Sequence, residues 1–262
     1  MRRTIRLFRL FLAEQSDPEL FYTALAADSV SQVAAFTPLA DRVVIDVGGG
    51  PGHFTREFRS RGASCVLVEP DSAELHARGD PPPGAVRGDG MRLPVADGAA
   101  DLCFSSNVLE HVRAPLAMLD EMIRVTRPGG VVYLAFTNWY SPWGGHEMSP
   151  WHYLGARYAG QRYTRRTGRK PKHQVGTTLF PVHVGQMLRA VRSRPDVTVL
   201  AARPRYYPRW CRGLVRIPGL REVATWNLLL VLRRGPDPDP DPDPGPARVR
   251  QPAATAGRVT AS

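Results

Sequence analysis

Cysteine is scarce in this chain: Cys65, Cys103 and Cys211 are the only three, and no two of them stand in a CxxC pair. That excludes a zinc ribbon, a thioredoxin-type redox motif and a disulfide-stapled fold. It fits a reducing compartment, where a buried thiol behaves as a small apolar residue. Long apolar runs are missing as well. The best stretch, Trp226 to Leu232, stops at Arg233 and Arg234, far short of the roughly 20 residues that a bilayer-spanning helix needs. The start, Met1-Arg2-Arg3, carries the charge of a signal peptide. Arg6 and Arg9 interrupt the apolar residues behind it, however, and no small-residue cleavage site follows, which argues against secretion. A cytoplasmic protein is expected, with peripheral contact at the inner face of a membrane left open.

Lysine is nearly absent, since Lys170 and Lys172 are the only two among 35 basic side chains. Acids fail in one place. Residues 155 to 216 hold 15 basic side chains against Asp196 alone, while residues 1 to 154 hold 14 basic and 18 acidic ones. The formal net charge of +11 is therefore concentrated in one block, which either meets an anionic partner or keeps the chain in solution.

What is present begins with 262 residues that are 43% apolar, enough for one α/β domain with an insertion and tails. Residues 2 to 15 read as a helix with Arg2, Arg6 and Arg9 on one face and Ile5, Phe8, Phe11 and Leu12 opposite, expected to pack on the domain rather than to anchor it to a membrane. A second helix is expected from Pro18 to Phe36, with Asp17 as its N-cap. Short apolar runs at Val43–Val47, Cys65–Glu69, Leu102–Ser105 and Val131–Phe136 then alternate with helical stretches such as Val112, Leu116, Leu119 and Ile123. This alternation predicts a parallel sheet with right-handed crossovers. Val197–Ala201 and Trp226–Leu232 read as closing strands, the last of them antiparallel, with no helix evident between them. The organisation expected is N-terminal helices (1–40), a nucleotide-binding core (41–137), a cap with its own helix from Trp151 to Thr167 (138–180), the rest of the sheet (181–234) and a disordered Asp-Pro-rich tail (235–262).

The sharpest signal is Val43-Val44-Ile45-Asp46-Val47-Gly48-Gly49-Gly50-Pro51-Gly52, a buried strand running into a glycine-rich turn and a helix near His53. Glycines there let the backbone approach a nucleotide-like ligand at the helix N-terminus. The dinucleotide spacing GxGxxG would need glycine at position 53, where His53 stands; Asp46, Gly48, Gly50 and Gly52 instead satisfy Asp-x-Gly-x-Gly-x-Gly. Glu69 closes the second strand, where a carboxylate can accept from both ribose hydroxyls, and Asp89 closes a short third strand, where it can accept from an adenine amino group.

Between Val43 and Phe136 the segments VIDVGGGPGHF, VEPD, GDGMRLPVADGAADLCFSSNVLEHV and RVTRPGGVVYL resemble the class I methyltransferases, in particular the subgroup that includes ubiquinone and menaquinone methyltransferases. LAADSV, GGHEMSPWHYLG and PRYYPRW resemble uncharacterised actinobacterial methyltransferases. The resemblance implies a doubly wound, mostly parallel seven-stranded Rossmann-like sheet with an antiparallel last strand, and S-adenosyl-L-methionine as cofactor. It places Asp46, Gly48 and Gly50 at the methionine moiety, Glu69 at the ribose, Asp89 and Met91 at the adenine, and the Asn107 backbone at the cofactor's amino group. Gly49, where the family often has Cys or another small residue, is a departure expected to matter little.

A sulfonium methyl is already electrophilic, so transfer requires neither metal nor covalent intermediate, and no metal ligand is expected here. A hydroxyl acceptor would profit from a general base. Candidates lie in the loops after the fourth and fifth strands: Glu110, His111, Tyr140, His146, Glu147 and His152, with His146 preferred and His111 either catalytic or part of the pocket wall. In the cap Trp139, Tyr140, Trp143, Trp151, Tyr153, Tyr158 and Tyr163 alternate with Arg157, Arg162, Arg165, Arg166 and Arg169. Such a surface suits a small-molecule or lipid-linked acceptor, or an envelope glycan, whose phosphates meet the arginines. It suits the stacked bases of RNA less well, because no RNA-binding module accompanies it. A non-catalytic scaffold at a membrane is the alternative outside enzymology, and nothing in the sequence fixes the oligomeric state.

Overall fold

A computed structural model describes residues 2–14 and 16–236; the Asp-Pro tail lies outside the described residues apart from its first two positions. Asp17 caps α2 (Pro18–Val33) as expected, its carboxylate accepting from the Leu20 amide at 3.0 Å, with Pro18 in the first turn where no donor is missed. The preceding helix, α1 (Arg2–Leu12), packs on α2 through a different face from the one its pattern suggests. Leu7 is buried, and Leu10 and Phe11 pack against the core that holds Phe21, Leu25 and Val30, whereas Ile5, Phe8 and Leu12 are exposed. The roll is set by Arg3, which pairs with Asp28 of α2 at 2.5 Å and reaches the Arg205 carbonyl at 3.3 Å.

The strands are β1 (Val43–Val47), β2 (Ser64–Glu69), β3 (Val86–Arg87), β4 (Ala100–Ser106), β5 (Thr126–Thr137), β6 (Val197–Pro204) and β7 (Asn227–Arg234). They form one seven-stranded sheet in the order β3-β2-β1-β4-β5-β7-β6. β1 to β5 pair with one another in parallel, and β7 runs antiparallel to both β5 and β6. Alternate residues of one strand feed two apolar layers, because helices cover both faces. Ile45, Cys103 and Leu134 face α5 (Pro115–Val125) and α7 (Val184–Arg192), while Val44, Leu102 and Tyr133 face α2 and α3 (His53–Ser60). The buried side of α5 is Met118, Leu119, Met122 and Ile123; Leu116 is exposed and Val112 precedes the helix.

Two expectations need correction. The connection between the closing strands is not free of helix: it holds a 3₁₀ segment, Arg209–Arg216, and α8 (Leu220–Ala224), which the Pro- and Arg-rich composition obscured. The cap helix is broken in two, a 3₁₀ turn Trp151–Leu154 and α6 (Ala156–Thr167), because Gly155 between them adopts φ +101°. The cap carries a small core of its own, Met148, Ala159 and Leu179, flanked by Trp139, Tyr163 and Val175.

This topology decides where a ligand can sit. The chain works outward from β1 to β3 and then returns to start β4 on the other side of β1. The connections after β1 and β4 therefore leave on opposite faces, and a crevice opens beyond their C-terminal ends.

Candidate functional site

At that crevice β1 delivers the glycine turn. The Gly48 amide donates to the Val68 carbonyl at 2.8 Å, and Gly48, Gly50 and Gly52 take φ of +72°, +52° and +84°, a region that side-chain-bearing residues rarely enter. The three serve different ends. A Cβ on Gly48 would overlap Val108 at 2.5 Å, and one on Gly52 would overlap Pro82 at 2.4 Å, so both are fixed by packing as well as by conformation. A Cβ on Gly50 would meet nothing within 4 Å, so the turn is open at this point. Gly49 is less neutral than its sequence suggests: a Cβ there would lie 2.4 Å from both an Asp46 carboxylate oxygen and Leu67, so in this chain the position has no room for a side chain.

Asp46 is buried and accepts from the Thr55 hydroxyl at 2.7 Å. Burial, opposed by that hydrogen bond and reinforced by the nearby Glu69, pushes its pKa up to about 7. An acid with a raised pKa in the fold binds its proton more tightly folded than unfolded, so its stabilising share is complete below the ordinary carboxylate range and is lost as pH rises through about 7. The ligand-free protein is accordingly expected to melt at lower temperature at about pH 8.5 than at about pH 6, and Asp46→Asn is expected to flatten that slope. Parallel melting curves check this; an equal slope in the variant would assign the pH dependence to another group.

Glu69 is also buried, with one carboxylate oxygen accepting from the Gly50 amide at 2.9 Å and the other from the Asp71 amide at 3.1 Å. Desolvation raises its pKa against those two bonds. Each oxygen retains a lone pair for a further donor. Asp89 stands just beyond β3 and accepts from the Met91 amide at 2.8 Å. Asn107 follows β4 with φ +58°; its amide donates to the Ala135 carbonyl at 2.7 Å, and its side-chain oxygen accepts from Asn227 at 2.7 Å. A non-glycine residue held left-handed at a switch point stores strain of the kind that clusters at ligand sites.

Gly48, Asp89 and Met91 line one side of a cavity of about 400 Å³, and Val108, His111, Val112, Arg113, Thr177 and Phe180 the other. Asp46, Gly50, Gly52, Glu69 and Asn107 do not line it; Asp46, Glu69 and Asn107 are the chain neighbours of Val47, Pro70 and Val108, which do. Arg113, Thr177 and Phe180 were not legible in the sequence, since the last two enter from the far end of the cap.

The base candidates separate clearly. Glu110 is buried and accepts from the Thr137 amide at 3.0 Å, while its own carbonyl accepts from the Phe180 amide at 2.7 Å, so it ties the cap to β5. His152 is buried with Nε2 3.1 Å from the Trp139 carbonyl. Tyr140 lies against the His183 ring. Glu147 is occupied by His173, taking its backbone amide and its Nδ1 at 2.7 Å each; burial works to raise its pKa, but these bonds hold it at about 2. His146 sits behind His111 rather than on the cavity wall, with ring centroids 4.9 Å apart. Burial, then the neighbouring His111 and His173, lower its pKa to about 3, which makes it a weak proton acceptor at neutral pH. His111 is the imidazole that reaches the cavity.

A mixed, mostly parallel sheet in this strand order, with a glycine turn after β1 and acids at the ends of β2 and β3, is the Rossmann-like fold of methyltransferases. The family described as the methyltransferase domain matches residues 45–134. The chain is 48% identical over 243 residues to an uncharacterised methyltransferase of Mycolicibacterium gilvum, covering 89% of this chain and 94% of the relative. It is 47% identical over 246 residues to one of Mycobacteroides abscessus, covering 89% and 94%. It belongs to this family of methyltransferases. Among solved structures, an S-adenosylmethionine-dependent methyltransferase of Mesorhizobium loti matches with a TM-score of 0.53 at 20% identity, covering 79% of this chain and 98% of that one. One of Methanosarcina mazei matches with a TM-score of 0.51 at 13% identity, with the same coverage of 79% and 98%. Both likenesses concern the fold. The ubiquinone subgroup is not singled out by any of these relatives.

Proposed function

We propose that the chain is an S-adenosylmethionine-dependent methyltransferase that passes the sulfonium methyl by direct in-line displacement to a small-molecule, lipid-linked or cell-envelope glycan acceptor. The observation that carries this reading is the convergence on one crevice of an open glycine turn, the Glu69 carboxylate held against it by the Gly50 amide, and Asp89 on the cavity wall. Asp89 and Met91 would hold the adenine, Glu69 the ribose, and Asp46, Gly48, Gly50 and the Asn107 backbone the methionine part. The cofactor supplies an activated methyl. The protein's share is to set an acceptor atom about 3 to 3.5 Å from it, in line with sulfur, and to keep water out. Val108, Val112 and Phe180 furnish apolar walls for that purpose. Micromolar binding of S-adenosylmethionine and its demethylated product is expected by calorimetry, with NADH far weaker. Comparable NADH binding would favour a dehydrogenase.

The acceptor side is basic. Beyond the Gln174–Thr177 segment, an open groove of about 710 Å³ is lined by Arg157, Arg165 and Lys170. That charge suits a phosphate-bearing acceptor or an anionic membrane. Arg162 is committed elsewhere, stacking over Trp151 at 3.9 Å. The informative variant is therefore the triple substitution of the exposed Arg165, Arg166 and Arg169 by serine. Association with anionic vesicles is expected to fall by about 1 kcal/mol per charge, and with rising salt, while cofactor affinity holds. Cosedimentation at two salt concentrations checks this. Unchanged vesicle binding, or preference for RNA at matched salt, would overturn the membrane part.

A further inference from the structure

We propose that His111, His146 and His173 form a binding site for one divalent transition-metal ion of the zinc class, bordering the cavity. Three separate segments deliver them: the 3₁₀ turn Leu109–His111 after β4, the 3₁₀ turn His146–Met148 of the cap, and the bend of the cap that holds His173. The ring centroids are 4.9 Å apart for His111–His146, 4.9 Å for His111–His173 and 4.5 Å for His146–His173. One ring nitrogen from each lies within 4.8 Å of the other two. A tetrahedral ion with bonds of about 2.0 to 2.1 Å needs its nitrogens roughly 3.3 Å apart, so ring rotations of ångström size bring the trio together.

The surroundings are those of ligands rather than of packed rings. His173 Nδ1 is 2.7 Å from Glu147 Oε2, and His111 Nδ1 is 2.8 Å from the Thr178 carbonyl. Each bond favours the Nδ1–H tautomer and leaves Nε2 with its lone pair free, the arrangement by which carboxylates and carbonyls orient metal-binding imidazoles. His146 Nε2 is buried and has no hydrogen-bond partner among the described residues. Packing alone explains the Glu147–His173 pair but leaves that stripped nitrogen unsatisfied, at a cost a cation would remove. His146 is also held at φ +49°, a left-handed conformation uncommon for a residue with a side chain. All-imidazole ligation suits Zn²⁺, Co²⁺ or Ni²⁺ and not Mg²⁺ or Ca²⁺, which prefer oxygen. Three protein ligands leave a fourth position open, as in catalytic zinc sites. Because His111 also lines the cavity, that position lies beside an acceptor bound there. This consequence rests on the methyltransferase reading: a hydroxyl acceptor held on the ion gives its proton to solvent, its oxygen forms the new C–O bond, and the C–S bond of the sulfonium breaks to release a neutral thioether.

The test uses the full chain without an affinity tag, stripped of metal. Titration with Co²⁺ is expected to saturate at one equivalent with the visible bands of a tetrahedral ion, and Zn²⁺ to displace it. His173→Ala is expected to weaken Zn²⁺ binding at least 100-fold and Glu147→Gln about 10- to 100-fold. His76→Ala, at an exposed histidine after α4 (Ser72–Leu75), is expected to leave it unchanged. Circular dichroism melts identify any variant that fails to fold, in which case His146→Ala takes its place. Absence of stoichiometric binding by the parent protein, or equal binding by a folded His146→Ala/His173→Ala variant, overturns the site. Cofactor calorimetry on the same metal-free samples separates the two readings: S-adenosylmethionine bound without any Co²⁺ site removes this inference alone, and Co²⁺ bound without S-adenosylmethionine removes the cofactor reading alone.

Discussion

Gly50→Val is expected to stay folded and to lose S-adenosylmethionine affinity by at least about 100-fold. The substitution strains the backbone, because position 50 sits at φ +52°, and a branched side chain in the left-handed region costs about 1 to 2 kcal/mol. The added Cβ meets no protein atom within 4 Å. The space it enters is the open side of the turn, where the ligand's backbone contacts would form. Relaxation of the strain would also move the amide that donates to Glu69 at 2.9 Å, so the two ligand-facing groups fail together. Gly168→Val is a matched control. That glycine has φ +70° at the C-terminus of α6, again with nothing within 4 Å, and should lower the melting temperature comparably without touching cofactor affinity. Calorimetry on both variants decides, and full affinity in a folded Gly50→Val protein would move the site elsewhere.

Glu69→Ala is expected to weaken the cofactor by about 1 to 3 kcal/mol, roughly 5- to 150-fold, through loss of a charge-assisted acceptor for two hydroxyls. Part of that loss is preorganisation, because the carboxylate also holds the Gly50 and Asp71 amides. Glu69→Gln separates the contributions: it keeps one oxygen and the side chain's shape but drops the charge. An intermediate affinity is expected. Binding by Glu69→Ala indistinguishable from the parent protein would mean that the ribose is held by other groups.

How far the sequence foretold these sites depended on the range of the interactions. β1 was legible to the residue because a strand buried on both faces leaves an apolar run, here interrupted only by Asp46, and the glycines that end it mark the turn. The Asp17 cap was legible because capping is local. α7 and the 3₁₀ segment at Arg209–Arg216 are not legible in the sequence, since prolines and arginines on either side mask an apolar face that only the sheet explains. The rotation of α1 depends on Arg3 meeting Asp28, a tertiary pairing with no signature in helical periodicity. The cofactor residues were readable because consecutive strands present them in order. The histidine trio was not: its members lie far apart along the chain, in no ligand spacing, and meet because the cap folds back over the loop after β4. Sequence alone marks His146 and His111 as separate base candidates and gives no signal for His173.

The measurement that bears most directly on the central claim is transfer of labelled methyl from S-adenosylmethionine into an extract of Mycolicibacterium gilvum, the organism of a close relative, followed by separation into lipid, RNA, protein and small-molecule fractions. Label is expected in the lipid or small-molecule fraction with the parent protein, and none with Gly50→Val. Cofactor binding without transfer into any fraction would contradict that claim and leave a methyltransferase-like scaffold.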